Sequence, residues 1–344
     1  MKPMQKIGCF ICFVLILFPG CSAPIPSRSE FVLGTVCSIS LYDRGRQSVY
    51  RKIFDRLREI ENLMSANIED SDLGRINRAA GIEAVAAHPD TIMVLKRAIR
   101  FAELSGGAFD PSIGPLVKLW GIGSDAGRIP EEHEIAGVLP LVNWKDIVID
   151  EAASTVFLKQ PGMGLDLGAI AKGYAADEAV RIIRAAGIKR ALIDLGGNIL
   201  AYGSKRDRRP WRVGIQNPVE GRGAYFGIAE VENKTVVTSG VYERFFESDG
   251  KRYHHILSTR DGYPVDQGLL SVTIIGHSSM DADALSTSLF ALGYERGSIL
   301  LESLDDNTVA IFVFADLSVR GTSGAFEQFT LTDEDFKIMS KILR

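Results

Sequence analysis

The chain has 344 residues, of which 46% are hydrophobic and 24% are charged, which is an ordinary composition for a globular protein. This composition excludes a disordered, collagen-like or coiled-coil chain. Thirty-nine Lys and Arg residues against 43 Asp and Glu residues give a formal net charge of −4. Because no basic excess is present to neutralise a long phosphate backbone, we expect no nucleic acid partner.

The first 20 residues have the pattern of an export signal. Lys2 and Lys6 accompany an apolar run over residues 7–18, which is shorter than the roughly 20 residues that a membrane-spanning helix needs. The run ends in Gly20–Cys21, which resembles the end of a bacterial lipobox, although Phe18 and Pro19 depart from that pattern. We interpret residues 1–20 as a lipoprotein signal peptide, Cys21 as the lipidated residue and residues 21–30 as a tether. Plain cleavage or a retained anchor is the alternative.

Apolar periodicity and turn residues predict the elements of the remaining chain. Residues 31–42 read as the first strand, and amphipathic spacing predicts a helix from Val49 to Met64. The other predicted helices cover 89–104, 169–186 and 281–292, and the other strands cover 191–195, 199–202, 211–215, 224–231, 236–238, 253–257, 270–275 and 309–314. Since helices and strands do not alternate strictly, we expect an α+β fold with mixed or antiparallel sheets in one domain, residues 31–344. The polar segment 204–209 reads as the tip of a hairpin rather than a domain boundary.

Oxygen-bearing side chains in the predicted helix 281–292 suggest a metal site. Asp283 and Thr287 are four residues apart, so they share one helix face and offer two hard oxygens that suit Mg²⁺. An acidic start that complements the helix dipole is the simpler interpretation, and on this pattern alone it is favoured.

Three further segments could carry chemistry. Residues 166–174 combine an acidic residue, two glycines and Lys172 at a helix start, which suits anion binding or close helix packing equally well. The Gly- and Pro-rich residues 106–115 predict an irregular loop in which Phe109 could contact a ring or fill the core. His254 and His255 lie in a strand, so their rings should point to opposite faces, although two structural histidines are the simpler interpretation.

Taken in order, these segments resemble the ApbE family of FAD:protein FMN transferases. The resemblance runs from residue 31 to at least Gly293, and each motif is weak alone whereas the ordered set is specific. The matching motifs are Gly34-Thr35, Ser71 with Asn77, Ala108-Phe109-Asp110-Pro111, Gly114-Pro115-Leu116, Asp166-Leu167-Gly168, Ala171-Lys172-Gly173-Tyr174, Gly196-Gly197-Asn198, Thr238-Ser239-Gly240, His255, and Ala282-Asp283-Ala284 with Thr287.

The resemblance implies a flavin-binding fold that uses Mg²⁺ and takes FAD as substrate. Such enzymes join FMN through a phosphoester bond to a Thr or Ser of a target protein and release AMP. Asp283 and Thr287 would bind the metal with the carbonyl of Ala169, and His255 and Asp283 would serve catalysis. The residues expected to hold FAD are Leu33, Asn77, Ala108, Phe109, Asp110, Asp166, Lys172, Ser239 and Leu257. Departures from the family pattern are Leu33 in place of Met, Asn67 in place of a frequent Tyr, and Ser258-Thr259 in place of Asp-Pro.

The chemistry of these residue types agrees with the resemblance. Cleaving a pyrophosphate requires neutralisation of its charge, which Mg²⁺ provides, and the attacking hydroxyl must lose a proton to a base such as His255. We expect an enzyme anchored to the inner membrane, facing the periplasm, that acts on an exported acceptor such as a subunit of a redox complex. The alternatives are an FAD pyrophosphatase that yields FMN and AMP, and a lipoprotein that only binds flavin.

Overall fold

The computed structural model describes residues 27–43, 46–221, 223–304 and 307–339 and shows the predicted α+β architecture. The helices are α1 (Gln47–Met64), α2 (Asp72–Arg78), α3 (Pro89–Leu104), α4 (Gly114–Trp120), α5 (Glu132–Val138), α6 (Ala171–Ala185), α7 (Ser279–Glu302) and α8 (Ala325–Gln328). The strands are β1 (Arg28–Val32), β2 (Thr35–Leu41), β3 (Val85–Ala86), β4 (Ile147–Asp150), β5 (Thr155–Leu158), β6 (Ala191–Leu195), β7 (Asn198–Tyr202), β8 (Trp211–Gln216), β9 (Tyr225–Val231), β10 (Lys234–Gly240), β11 (Phe245–Ser248), β12 (Lys251–His254), β13 (Leu269–Gly276), β14 (Val309–Phe314), β15 (Ser318–Gly321), β16 (Phe329–Leu331) and β17 (Lys337–Ile338).

A nine-stranded sheet forms the centre of the fold, in the order β1-β2-β6-β7-β10-β13-β14-β15-β17. All its neighbouring strands are antiparallel except β15 and β17. One face packs on the apolar sides of helices such as α1, α6 and α7, and the other packs on the three-stranded sheet β16-β9-β8. Because β13 and β14 are covered on both faces, nearly all their residues are buried, which explains the uninterrupted apolar sequence of β14 and the mostly apolar sequence of β13.

Several predicted elements are confirmed with close bounds, and three are corrected. Helix α1 and helix α3 lie where their periodicity predicts, and α7 continues beyond its predicted end through a kink at Gly293. The single strand predicted over 31–42 is wrong: β1 and β2 form a hairpin, since Leu33 and Gly34 have φ of 58° and 67° and reverse the chain. Residues 204–209 are not a hairpin tip, because β7 and β8 belong to different sheets. The strand predicted over 253–257 is instead β12, which runs earlier and ends at His254.

The hairpin of β11 and β12 stands apart from the main sheet. It forms a two-stranded sheet of its own, and aromatic rings attach it to α4. Tyr253 stacks on Phe246 with ring centroids 5.3 Å apart and on Trp120 with centroids 5.8 Å apart. The indole nitrogen of Trp120 donates a 2.7 Å hydrogen bond to the carbonyl of Gly262. This stack positions the two ends of the hairpin, residues 244 and 255, beside the cavity described below.

The predicted signal peptide and Cys21 lie outside the described residues, as does the tether up to residue 26. Of the helices that the structure describes, none is both long enough and apolar enough to cross a membrane. Cys37 is the free cysteine of the described chain, and it is fully buried in β2.

Candidate active site

A cavity of about 590 Å³ lies between one face of the main sheet, the end of α1 and the first half of α7. This volume is within the range of sites that bind small molecules and cofactors. Most of the residues singled out from the sequence line it: Leu33, Ala108, Phe109, Asp110, Asp166, Ala169, Lys172, Ser239, His255, Leu257, Asp283 and Thr287. Segments that are distant in sequence therefore converge on one site.

Asp283 and Thr287 lie on the cavity side of α7, as their four-residue spacing predicts. The carboxylate of Asp283 accepts a 3.0 Å hydrogen bond from the backbone N–H of Gly173, and its other oxygen lies 3.7 Å from the Lys172 ammonium. Burial raises the pKa of Asp283, and the charge of Lys172 acts in the opposite direction. The hydroxyl groups of Thr287 and Ser239 are 3.2 Å apart. Asp283 is therefore a costly buried charge that a bound cation would stabilise.

The donor set around Asp283 fits a hard divalent cation. It consists of a carboxylate with neighbouring hydroxyl oxygens, and Mg²⁺ prefers such ligands when water and phosphate oxygens complete its coordination. In the described parts of the chain, no group of three or more His, Cys, Asp or Glu side chains is placed to hold a metal ion. The side-chain amide nitrogen of Asn198, another cavity-lining residue, is buried and has no hydrogen-bond partner among the residues that the structure describes. The wall thus combines a carboxylate with hydroxyl groups, the ligand types that a hard cation takes.

The loop before α6 is held by its own side chains. Asp166 accepts a 2.7 Å hydrogen bond from the N–H of Gly168, and the Lys172 ammonium donates a 2.8 Å bond to the Gly168 carbonyl. The side chain of Asn77 holds the backbone of this loop and does not line the cavity. Its side-chain oxygen accepts from the N–H of Leu165 at 2.6 Å, and its amide nitrogen donates to the Leu165 carbonyl at 3.0 Å. The structure therefore places Asn77 as a support of the wall and not among the cavity-lining residues, where the resemblance led us to expect it.

A second loop supplies Ala108, Phe109 and Asp110. The Asp110 carboxylate accepts hydrogen bonds from the N–H and hydroxyl of Ser112, at 2.8 and 2.6 Å, and from the N–H of Trp144 at 3.0 Å. Burial raises the pKa of Asp110, and the bonds to Ser112 oppose that rise. Since both its oxygens already accept hydrogen bonds from the protein, Asp110 shapes this wall and positions the neighbouring Phe109.

The two adjacent histidines point to opposite sides, although only His254 lies in a strand, since β12 ends there and His255 begins the following loop. His254 is buried, and its Nε2 lies 3.0 Å from the Val265 carbonyl oxygen. His255 is half-buried at the cavity wall, and its Nδ1 lies 3.2 Å from the carbonyl oxygen of Arg244. Because a carbonyl oxygen only accepts, the proton of His255 is on Nδ1, and Nε2 keeps its lone pair. Burial, with a smaller contribution from the charge of Arg244, lowers the pKa of His255 to about 3.

Three charged wall residues were not found from the sequence: Glu61, Glu243 and Arg244. Glu61 lies on α1, and its carboxylate accepts a 3.2 Å hydrogen bond from the N–H of Gly34 in the β1–β2 turn. Arg244 lies immediately before β11 and is exposed at the cavity mouth. Helical periodicity identifies the buried face of α1 but gives no signal for Glu61. Nothing local in the sequence places Arg244 beside His255, because a hairpin separates them.

Comparisons with known proteins agree with the fold and show the family. A family model described as the ApbE family matches residues 33–312, a span that includes every cavity-lining residue. The FAD:protein FMN transferase of Treponema pallidum (strain Nichols) is 39% identical over 328 residues, which cover 90% of each chain. That of Klebsiella pneumoniae (strain 342) is 37% identical over 313 residues, covering 91% of this chain and 96% of the relative. The crystal structure of the ApbE protein of Thermotoga maritima MSB8 has a TM-score of 0.80 and 31% identity, over 88% of this chain and 99% of that one.

Proposed function

The chain belongs to the ApbE family, and we propose that it is a Mg²⁺-dependent FAD:protein FMN transferase that modifies a Thr or Ser of an acceptor protein and releases AMP. The observation that carries this proposal is the convergence of Asp283, Thr287, Lys172 and His255 on one cavity of cofactor size. Relatives that this chain resembles over most of their length are named FAD:protein FMN transferase, which supports the transferase part of the proposal.

The proposed transfer is a displacement at phosphorus. The acceptor hydroxyl oxygen forms a bond to the phosphorus of the FMN half, while the bond from that phosphorus to the bridging oxygen breaks. The electron pair of the broken bond leaves with AMP, and the hydroxyl proton passes to Nε2 of His255. Since Nδ1 is held by the Arg244 carbonyl, the ring presents its basic nitrogen in a fixed tautomer.

The other residues would bind and orient FAD. Leu33, Phe109 and Leu257 offer apolar surface for the flavin ring, and Ser239 offers a hydroxyl. Ala108, Asp110 and Asp166 belong to the two loops that shape the cavity, and Lys172 lies in the first turn of α6. All four would contact the remainder of the dinucleotide. Asp283, Thr287 and the Ala169 carbonyl would hold Mg²⁺, which when bound neutralises charge on the diphosphate.

We further propose that the chain is exported and anchored through Cys21 to the inner membrane, facing the periplasm, where its acceptor is a redox-complex subunit. Support comes from the charged and apolar pattern of residues 1–21. Labelling cells with a fatty-acid analogue tests the anchor. Incorporation into the wild-type chain and its loss in Cys21→Ala is the expected result, and equal labelling of both would contradict it.

The activity is tested by incubating the chain with FAD and Mg²⁺, with and without a soluble acceptor domain that contains an Asp-x-x-(Ser/Thr)-Gly-Ala-Thr segment. We expect AMP release together with an acceptor mass increase equal to one FMN phosphoester. AMP and free FMN without a mass increase would instead identify a pyrophosphatase. Bound FAD with neither product would identify a flavin-binding protein.

A further inference from the structure

Arg244 is the one cation lining the cavity whose charged group has no partner within the described residues. The lining contains the acidic residues Glu61, Asp110, Asp166, Glu243 and Asp283 against two basic ones. Of these two, Lys172 is already engaged by Asp283 and by the Gly168 carbonyl. Arg244 uses its backbone carbonyl for His255, whereas its guanidinium is left with five N–H donors to offer a ligand.

Two glycines leave room for this side chain at the cavity mouth. A methyl group built on Gly123 would lie 3.3 Å from Cδ of Arg244, and one built on Gly34 would lie 3.8 Å from its Nη2. Both glycines have positive φ, 87° and 67° respectively, so other residues would be strained there. The Arg244 side chain thus lies between the β1–β2 turn and the loop after α4.

The backbone carbonyl of Arg244 contacts His255, the proposed base, at two points. The carbonyl of Arg244 accepts from the backbone N–H of His255 at 3.1 Å, and the same oxygen lies 3.2 Å from the ring Nδ1. Besides burial, which is the larger cause, the charge of Arg244 also contributes to lowering the pKa of His255, so the guanidinium acts on the group that would receive the acceptor's proton. In the proposed reaction, the phosphoryl group of FMN passes from AMP to the acceptor oxygen beside this base.

We propose that the Arg244 guanidinium binds a phosphate of the dinucleotide, next to the phosphorus that the acceptor hydroxyl would attack while His255 takes its proton. The inference rests on the proposed function, since it takes FAD as the ligand. A wall with more carboxylates than cations repels a diphosphate, and Arg244 supplies charge that no group of the described residues neutralises. A guanidinium also matches phosphate geometry, because its planar fork can donate two parallel hydrogen bonds.

The test compares FAD with riboflavin, which has the same ring but no phosphate. Dissociation constants for both are measured by quenching of flavin fluorescence, without acceptor, for the wild-type chain, Arg244→Gln and Arg244→Lys. We expect Arg244→Gln to bind FAD about tenfold more weakly and riboflavin equally well. Arg244→Lys should lie in between, because it keeps the charge and loses the fork. The salt dependence of FAD binding should become shallower in Arg244→Gln.

Arg252→Gln is the matched control, since Arg252 lies on the same hairpin, pairs with Glu247 at 3.2 Å and does not line the cavity. Its FAD affinity should equal that of the wild type.

Unchanged FAD affinity in Arg244→Gln would overturn the proposal. An equal loss of affinity for FAD and riboflavin would also overturn it, because it would indicate a contact with the ring. A raised KM for the acceptor alone would overturn it too, in favour of a carboxylate on the acceptor. A wild-type chain that binds FAD but forms no product would refute the proposed function, and the binding comparison would still report on Arg244.

Discussion

The backbone of Gly173 in α6 and the carbonyl of Ser279 in α7 are in direct contact, so closely that a methyl group on Gly173 would lie 2.1 Å from the Ser279 oxygen. This contact lets the Gly173 N–H reach the Asp283 carboxylate. A glycine in the first turn of α6 is thus a requirement of the site and not of the helix, since glycine disfavours helix interiors.

Gly173→Ala should separate the two helices. We expect a loss of about 1–3 kcal/mol in the free energy of unfolding, together with a strong loss of FAD cleavage, because Asp283 loses a hydrogen bond and shifts. Urea denaturation and AMP release measure the two effects. Gly137→Ala in α5 is the control, since a methyl group there meets nothing within 4 Å, and it should be neutral or slightly stabilising. Equal behaviour of the two variants would contradict this packing argument.

Asp283→Asn should remove metal-dependent chemistry without unfolding the protein. The amide has nearly the same shape and carries no charge, so the cost of a buried carboxylate disappears. We expect AMP release to fall at least about a hundredfold, with an unchanged or higher melting temperature in metal-free buffer. Chelation of the metal should mimic the variant in the wild-type chain. Undiminished AMP release from Asp283→Asn would remove Asp283 from the metal site.

The adjacent histidines should give opposite phenotypes. His255→Gln should reduce transfer about 10²- to 10⁴-fold with little effect on stability, because it removes the proposed base from the cavity wall. His254→Gln should mainly destabilise the fold, because His254 is buried and its Nε2 contacts the Val265 carbonyl. Transfer rates measured beside thermal melting separate the two roles. A similar rate loss in both variants, at similar stability, would contradict the assignment.

The low pKa of His255 predicts an unusual pH profile. A histidine with an ordinary pKa of about 6.5 would lose roughly thirtyfold of its basic form between pH 8 and pH 5. With a pKa lowered to about 3, His255 stays neutral throughout that range. The pH profile of kcat/KM reports ionisations of the free enzyme. We therefore expect it to show no decrease near pH 6.5 that is caused by protonation of His255. A decrease near pH 6.5 in the wild-type chain that is absent from a variant of His255 would show that His255 has an ordinary pKa.

Asn77→Ala should act through the cavity wall. The variant loses both hydrogen bonds to Leu165, so we expect a loss of about 1–3 kcal/mol in stability. It should also raise the KM for FAD more than it lowers kcat, since the neighbouring Asp166 loop loosens. Asn77→Asp keeps the acceptor for the Leu165 N–H and should be milder. A large drop in kcat at unchanged stability would instead indicate direct contact with the reacting groups.

Sequence patterns located the elements that carry strong periodicity but could not supply contacts between distant segments. The apolar spacing of α1 and the Pro and Gly boundaries of α3 are local signals, and both helices lie where predicted. The β1–β2 turn was missed because Leu33 is not a residue type that favours positive φ, so the alternation on either side reads as one strand. Glu61 and Arg244 enter the site only through the packing of α1 and of the β11–β12 hairpin. The side-chain role of Asn77 depends on a partner 88 positions away, which no local pattern contains.

The attachment of the β11–β12 hairpin has a consequence for how activity is lost on heating. Arg244 immediately precedes β11 and His255 immediately follows β12, so they lie side by side at the open end of this hairpin. The hairpin pairs with no other strand of the described chain, and the stack of Trp120, Tyr253 and Phe246 connects it to α4. Such a peripheral unit can open at a lower free energy than the doubly covered strands β13 and β14. Heat inactivation should accordingly begin several degrees below the cooperative melting of the central sheet. It should also be reversible, because only this small unit has to refold.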